Sequence, residues 1–83
     1  MRVELNPDNL FEELNRYVGK RVNTHSIAPQ DLIDWYGEEF SDFGGDCGIL
    51  QEVLEDDGEV IVVSDWGMCW PVYKKSPWIE IDD

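Results

Sequence analysis

Apolar residues recur at helical spacing before Gly48 and at every second position after it. The first spacing lays one apolar stripe along a helix; the second puts alternate side chains on one face of a strand. An 83-residue chain that changes period once must therefore join helices to a β-meander, an α+β arrangement. Its length fits a single domain over residues 1–83, and a domain this small buries only about 60% of the surface its unfolded chain exposes. A large enclosed cleft does not fit such a core. Function is expected on the surface.

The helical half opens at Asn6, a good N-cap, with Pro7 preset for a first turn and Asp8 where the macrodipole favours an anion. Leu10, Phe11, Leu14, Tyr17 and Val18 share a face, and Gly19 followed by Lys20 and Arg21 supplies a stop. This predicts a helix over residues 7–18. A short extended stretch, Lys20–Thr24, precedes a second helix that starts near Pro29 with the stripe Leu32, Ile33, Tyr36 and Phe40. Gly37 weakens that helix by up to ~1 kcal/mol relative to alanine, so it bends or ends there. Phe43-Gly44-Gly45-Asp46 reads as loop. Strands are expected over Gly48–Glu55, Glu59–Asp65, Met68–Tyr73 and Trp78–Ile81, with turns at Asp56-Asp57-Gly58, Trp66-Gly67 and Lys74-Lys75-Ser76-Pro77. Val60-Ile61-Val62-Val63 is apolar on both faces, so its strand should be central, and Asp82-Asp83 ends the last strand.

The runs Val18-Gly19-Lys20-Arg21-Val22, Gly48-Ile49-Leu50-Gln51-Glu52-Val53 and Gly58-Glu59-Val60-Ile61-Val62-Val63 resemble the strand signatures of small SH3-like barrels of the KOW and Tudor type. The resemblance covers residues 18–22 and 48–81. It implies that the meander after the N-terminal helix closes into a small antiparallel barrel, an arrangement that also shields sheet edges. Residues 29–43 depart from that pattern as a helical insertion in place of a short loop.

Charge adds a second constraint. The chain holds 19 Asp and Glu against 6 Lys and Arg, a net charge of −13, yet its 42% hydrophobic and 12% aromatic content excludes a disordered acidic tail. Between Arg21 and Lys74 there is no cation, while twelve carboxylates stand there: Asp31, Asp34, Glu38, Glu39, Asp42, Asp46, Glu52, Glu55, Asp56, Asp57, Glu59 and Asp65. Such a chain repels nucleic acid and anionic membranes, so neither is an expected direct partner. It attracts basic surfaces, typically those of proteins that hold nucleic acid. Asp31, Asp34 and Glu38 fall at i, i+3 and i+7 of the second helix, joined by Glu39 and Asp42. Carboxylates recurring every ~4.5–6 Å along a helix approach the ~3.4 Å phosphate spacing of one DNA strand. A turn bearing Glu55, Asp56, Asp57 and Glu59 extends the row, and Asp46 is a further candidate contact. Solubility alone is the competing reading.

Motifs for metals and catalysis are sparse. Asp42, Asp46, Asp56 and Asp57 offer oxygen ligands without a calcium-loop pattern, and Cys47, Cys69 and His25 lack zinc spacing, so no metal or cofactor is expected. Cys47 beside Asp46, with His25 elsewhere, is the one nucleophilic set, and carboxylates near a thiol oppose thiolate formation. Asp42-Phe43-Gly44 spells a kinase tripeptide without its companion motifs. No enzymatic activity is expected. Cys47 and Cys69, without a CxxC, read as two buried reduced thiols of a cytoplasmic protein. Residues 1–7 hold no signal-peptide apolar region, and no apolar run reaches the ~20 residues of a membrane span.

Trp35, Trp66, Trp70 and Trp78 exceed what so small a core needs. Trp35 lies off the second helix's stripe and Trp66 lies in a turn. Exposed Trp beside carboxylates makes a hot spot for Arg and Lys, with Trp35 the anchor of the acidic row. The Tudor-type resemblance implies another use, an aromatic cage of Trp66, Trp70 and Tyr73 for a basic or modified peptide. In size, charge and compact build the chain also resembles the small acidic inhibitors of phages and mobile elements, the DNA mimics among anti-CRISPR and anti-restriction proteins. That resemblance implies a non-enzymatic inhibitor in a host cytoplasm, occupying the basic nucleic-acid-binding surface of a defence or regulatory protein. The charge pattern places its contacts at Asp31, Asp34, Trp35, Glu38, Glu39, Asp42, Asp46, Glu55, Asp56 and Asp57. An exposed β edge or a Trp patch leaves both monomer and dimer open.

Overall fold

A computed structural model describes residues 1–81; Asp82 and Asp83, expected to end the last strand, lie outside the described residues. The strands are β1 (Arg2–Glu4), β2 (Arg21–Ile27), β3 (Phe43–Asp56), β4 (Glu59–Ser64), β5 (Cys69–Val72) and β6 (Lys75–Ile81). They form one open antiparallel sheet in the order β1-β6-β2-β3-β4-β5. Two short helices accompany it, α1 (Leu10–Asn15) and α2 (Gln30–Tyr36), each adjoining a 3-10 segment, Pro7–Asn9 and Glu38–Asp42. No helix among the described residues is long and apolar enough to cross a membrane.

The first helical region begins as its sequence dictates. Asn6 Oδ1 accepts the Asp8 N–H at 3.0 Å, and Pro7 fills the first helical position. The α-helix is shorter than residues 7–18, because the chain starts as a 3-10 turn and tightens again after Asn15, where Arg16 and Tyr17 donate to Glu13 and Leu14 carbonyls. Val18 has therefore left the helix before it can join the apolar face, and it is exposed. Gly19, at φ +93°, turns the chain and donates its N–H to the Leu50 carbonyl at 2.7 Å, tying the helix stop to β3. Leu14 is wholly buried in the core with Leu10, Val22, Leu50, Val62 and Ile79. Leu14→Ala is expected to cost about 3 kcal/mol, read as a lower urea midpoint at unchanged slope.

β3 is the element that shapes the sheet. Phe43–Ile49 pairs with β2 and Leu50–Asp56 pairs with β4, so one strand serves two neighbours in succession. The transfer lies beside Gly48, whose φ of +66° suits a bulge and whose N–H is held by Asp46 Oδ1 at 2.8 Å. The expected loop Phe43–Asp46 is thus strand, entering β3 ahead of the predicted start at Gly48. Its glycines allow this: a Cβ on Gly44 would lie 1.8 Å from the Thr24 carbonyl oxygen, so only glycine lets the two backbones approach so closely. The expected turn at Lys74–Pro77 also gives way to strand, since β6 begins at Lys75, and the three-residue β1 pairs along it. β4 has a neighbour on each side, but of its apolar run only Val60 and Val62 are buried while Ile61 and Val63 stay half-covered. Trp70 Nε1 donates to Thr24 Oγ1 at 2.8 Å and the Tyr73 N–H to Ser26 Oγ at 3.0 Å, so the β5 end curls back toward β2.

Candidate functional site

The insertion between β2 and β3 carries most of the predicted contacts. Gly37, at φ +114°, ends α2 with its N–H on the Ile33 carbonyl, and the 3-10 helix Glu38–Asp42 follows. Asp31 and Asp34 therefore sit on one short helix and Glu38, Glu39 and Asp42 on another, in place of one continuous helical row. All five are exposed. Leu32 and Ile33 are half-buried, but Tyr36, expected in the apolar stripe, is 60% exposed and Trp35 is 82% exposed. Three contacts fasten the insertion to the sheet. The Ala28 N–H donates to the Phe40 carbonyl at 3.1 Å, Phe40 stacks on Phe43 at 5.3 Å, and Asp42 meets His25 Nδ1 at 3.3 Å. His25 in turn lies flat on Trp78, 3.9 Å between centroids.

Aromatic rings connect this insertion to the strands. Trp35, Tyr36, Phe40, Phe43 and Tyr73 follow one another with centroid separations of 5.3–6.5 Å. Beside Phe43 opens a groove of about 320 Å³ lined by Phe43, Gly44, Gly45, Asp46, Trp66 and Trp70. Both indole N–H groups there are already spent, Trp66 Nε1 on the Cys47 carbonyl at 3.2 Å and Trp70 Nε1 on Thr24. The cage predicted from Trp66, Trp70 and Tyr73 is thus only partly assembled. Trp66 and Trp70 share a groove, whereas Tyr73 lines another with Pro29, Gly58 and Glu59.

The remaining carboxylates divide by what they touch. Asp46 accepts from Arg21 Nη2 at 3.2 Å as well as from Gly48, so it braces the β3 bulge while staying exposed. Glu55 and Asp56 end β3 and Asp57 opens the turn into β4, all three exposed. The Tyr73 groove is lined by Gly58 of that turn and the following Glu59, by Pro29 at the foot of the insertion, and by Lys74. Among the described residues the ion pairs are Arg2–Glu4, Arg21–Asp46 and the His25–Asp42 contact, and no group of three or more His, Cys, Asp or Glu gathers to hold a metal. Phe43, Gly44 and Gly45, read from the sequence as loop, line the first groove as well. A glycine pair flanked by Phe and Asp was the only hint of the groove, and it reads equally well as a turn.

Cys47 is buried and Cys69, expected to be buried too, is exposed; the two are unpaired. Burial first, then the charges of Asp46 and Asp65, pushes the Cys47 thiol from 9.0 up to about 11. A thiol held protonated in this way is a poor nucleophile. Burial and then Glu59 also raise the Tyr73 phenol above its ordinary value. Cys47 stabilises the fold fully below pH 9, where it is protonated both folded and unfolded. As pH rises from 9 toward 11 the unfolded chain ionises first, and about 2–3 kcal/mol is lost. Thermal melts across that window are expected to fall more steeply for the wild-type protein than for Cys47→Ala.

No family model matches the chain, and no solved structure matches it. A curated protein similar to it is a quinolinate synthase of Fusobacterium nucleatum subsp. nucleatum, 30% identical over 71 residues. Those residues are 84% of this chain and 22% of the synthase, so the chain spans less than a quarter of the curated relative it matches.

Proposed function

We propose that this protein is a non-enzymatic inhibitor that presents its anionic ridge to the basic, nucleic-acid-binding surface of a partner protein in a host cytoplasm, as a DNA mimic does. One observation carries the reading. Asp31, Asp34, Glu38 and Glu39 are exposed on a single insertion, pair with no cation among the described residues, and surround Trp35 and Tyr36, which are exposed with them. A face built for solubility alone gains from the carboxylates and loses from the aromatics. A protein-binding hot spot uses both. The same proposal takes the curl of β5 toward β2 as a partly closed SH3-like barrel, with the Trp70–Thr24 and Tyr73–Ser26 bonds in support.

A second reading, an SH3-like module that recognises a basic or modified peptide through aromatics, draws on the groove shared by Trp66 and Trp70. Tyr73, in a different groove, weakens the three-walled cage. Competition separates the two. The immobilised protein, incubated with a lysate of its source organism at low salt, is expected to retain a basic protein that duplex DNA releases. Retention of a protein that duplex DNA fails to displace would overturn the mimic.

A further inference from the structure

We propose that the groove between β3 and the β4–β5 turn is a slot for one arginine side chain of the partner protein. The proposal rests on the reading that this face meets a basic protein, and it names the group that is recognised. Three observations carry it. The slot is lined by Phe43, Trp66 and Trp70, and both indoles are fixed by their own N–H bonds to Cys47 and Thr24. With those donors spent, the indoles offer a ligand their faces and edges, which suits a flat cation and not a hydrogen-bond acceptor. Asp46 also lines the slot, and its carboxylate, 58% exposed, already holds one guanidinium, that of Arg21. Finally, the protein binds a guanidinium in this way within its own fold. Arg2 lies 4.0 Å over the Trp78 ring while its Nε donates to Glu4 at 2.8 Å, an indole and a carboxylate holding one arginine.

Arginine fits better than lysine for a geometric reason. A planar guanidinium stacks on an aromatic ring while its in-plane N–H groups reach a neighbouring carboxylate, whereas an ammonium is a point charge that keeps its water. Close approach is helped by Gly45, which lines the slot without a side chain and where an added Cβ would meet nothing within 4 Å. Trp66 is 60% exposed, so the slot is open to a side chain arriving from outside.

The test uses the full chain, labelled with ¹⁵N, and N-acetyl-arginine amide, N-acetyl-lysine amide and N-acetyl-trimethyllysine amide as probes. The indole N–H resonances of Trp66 and Trp70 are expected to shift saturably with arginine amide, while that of Trp35 stays in place. Arginine amide is expected to bind at least about threefold more tightly than either lysine probe, and Trp66→Ala to weaken it at least about fivefold. Asp46→Asn keeps an oxygen for the Gly48 N–H and serves as the second variant, with a loss of about threefold. Non-saturating shifts, equal affinity for a lysine probe, or unchanged binding by both variants would overturn the slot. A partner that survives charge reversal of the insertion, together with saturable arginine binding here, would refute the ridge and leave the slot standing. The converse pair of results would do the opposite.

Discussion

Replacing Asp31, Asp34, Glu38 and Glu39 together by lysine is expected to abolish partner binding while leaving the fold intact. These side chains are exposed, and α2 and the following 3-10 helix bury no residue completely, so the substitutions disturb little packing. Surface changes of this kind usually move stability by about 0.5 kcal/mol or less each. Relief of repulsion among like charges favours the variant slightly. At the interface the sign is opposite. Carboxylates that met cations become ammonium groups facing cations, and like-charge juxtaposition costs several kcal/mol, a loss of roughly a thousandfold or more in affinity. Titration of the captured partner with both proteins, alongside their circular dichroism, separates this result from unfolding. A variant that folds and binds within about threefold of the wild type would remove the insertion from the interface.

Gly44→Ala is expected to carry the largest cost in stability of any single change in β3. The added Cβ would lie 1.8 Å from the Thr24 carbonyl oxygen, an atom of backbone in the paired strand that no rotamer change moves aside. The residue also has φ +146°, which an L side chain rarely adopts. Strain of about 1–3 kcal/mol adds to overpacking of similar size. The sum, about 2–6 kcal/mol, approaches at its upper end the entire stability of a domain of this length. Gly45→Ala is the matched control. Its φ of +151° carries the same torsional strain, yet nothing lies within 4 Å of the new methyl group. The expected result is a Gly45→Ala protein that melts a few degrees lower and a Gly44→Ala protein that is largely unfolded or melts at least about 15 °C lower. Equal effects at the two positions would mean that torsion alone, and not the approach to β2, demands glycine.

How far the sequence foretold this molecule depends on the range of the forces involved. Leu10 and Leu14 announce a helix because their spacing is local, and Asp57-Gly58 announces a hairpin for the same reason: Asp57 and Gly58 both adopt positive φ there. Phe43–Asp46 misleads because its strand character comes from pairing with β2, about twenty residues away in sequence, while its own composition spells a turn. β1 is too short to show a period at all. The acidic contacts were legible as exposed because an unpaired carboxylate stays in water. Their arrangement was legible in part: α2 ends at Gly37, where a bend or stop was expected, but Asp46 proves to brace a bulge as well as face solvent. The groove was the least legible feature. It needs Trp66 on the β4–β5 turn and Trp70 on β5 brought to the flank of Phe43, a juxtaposition that only the completed sheet creates.

The central claim is that the acidic ridge takes the place of phosphates on a basic partner, and ionic strength tests it most directly. Affinity for the partner that duplex DNA displaces should be measured between 50 and 200 mM salt at constant pH. If carboxylates stand in for phosphates, log Kd rises linearly with log salt and affinity falls at least about tenfold across that range. A Kd that stays constant within about twofold would contradict the account.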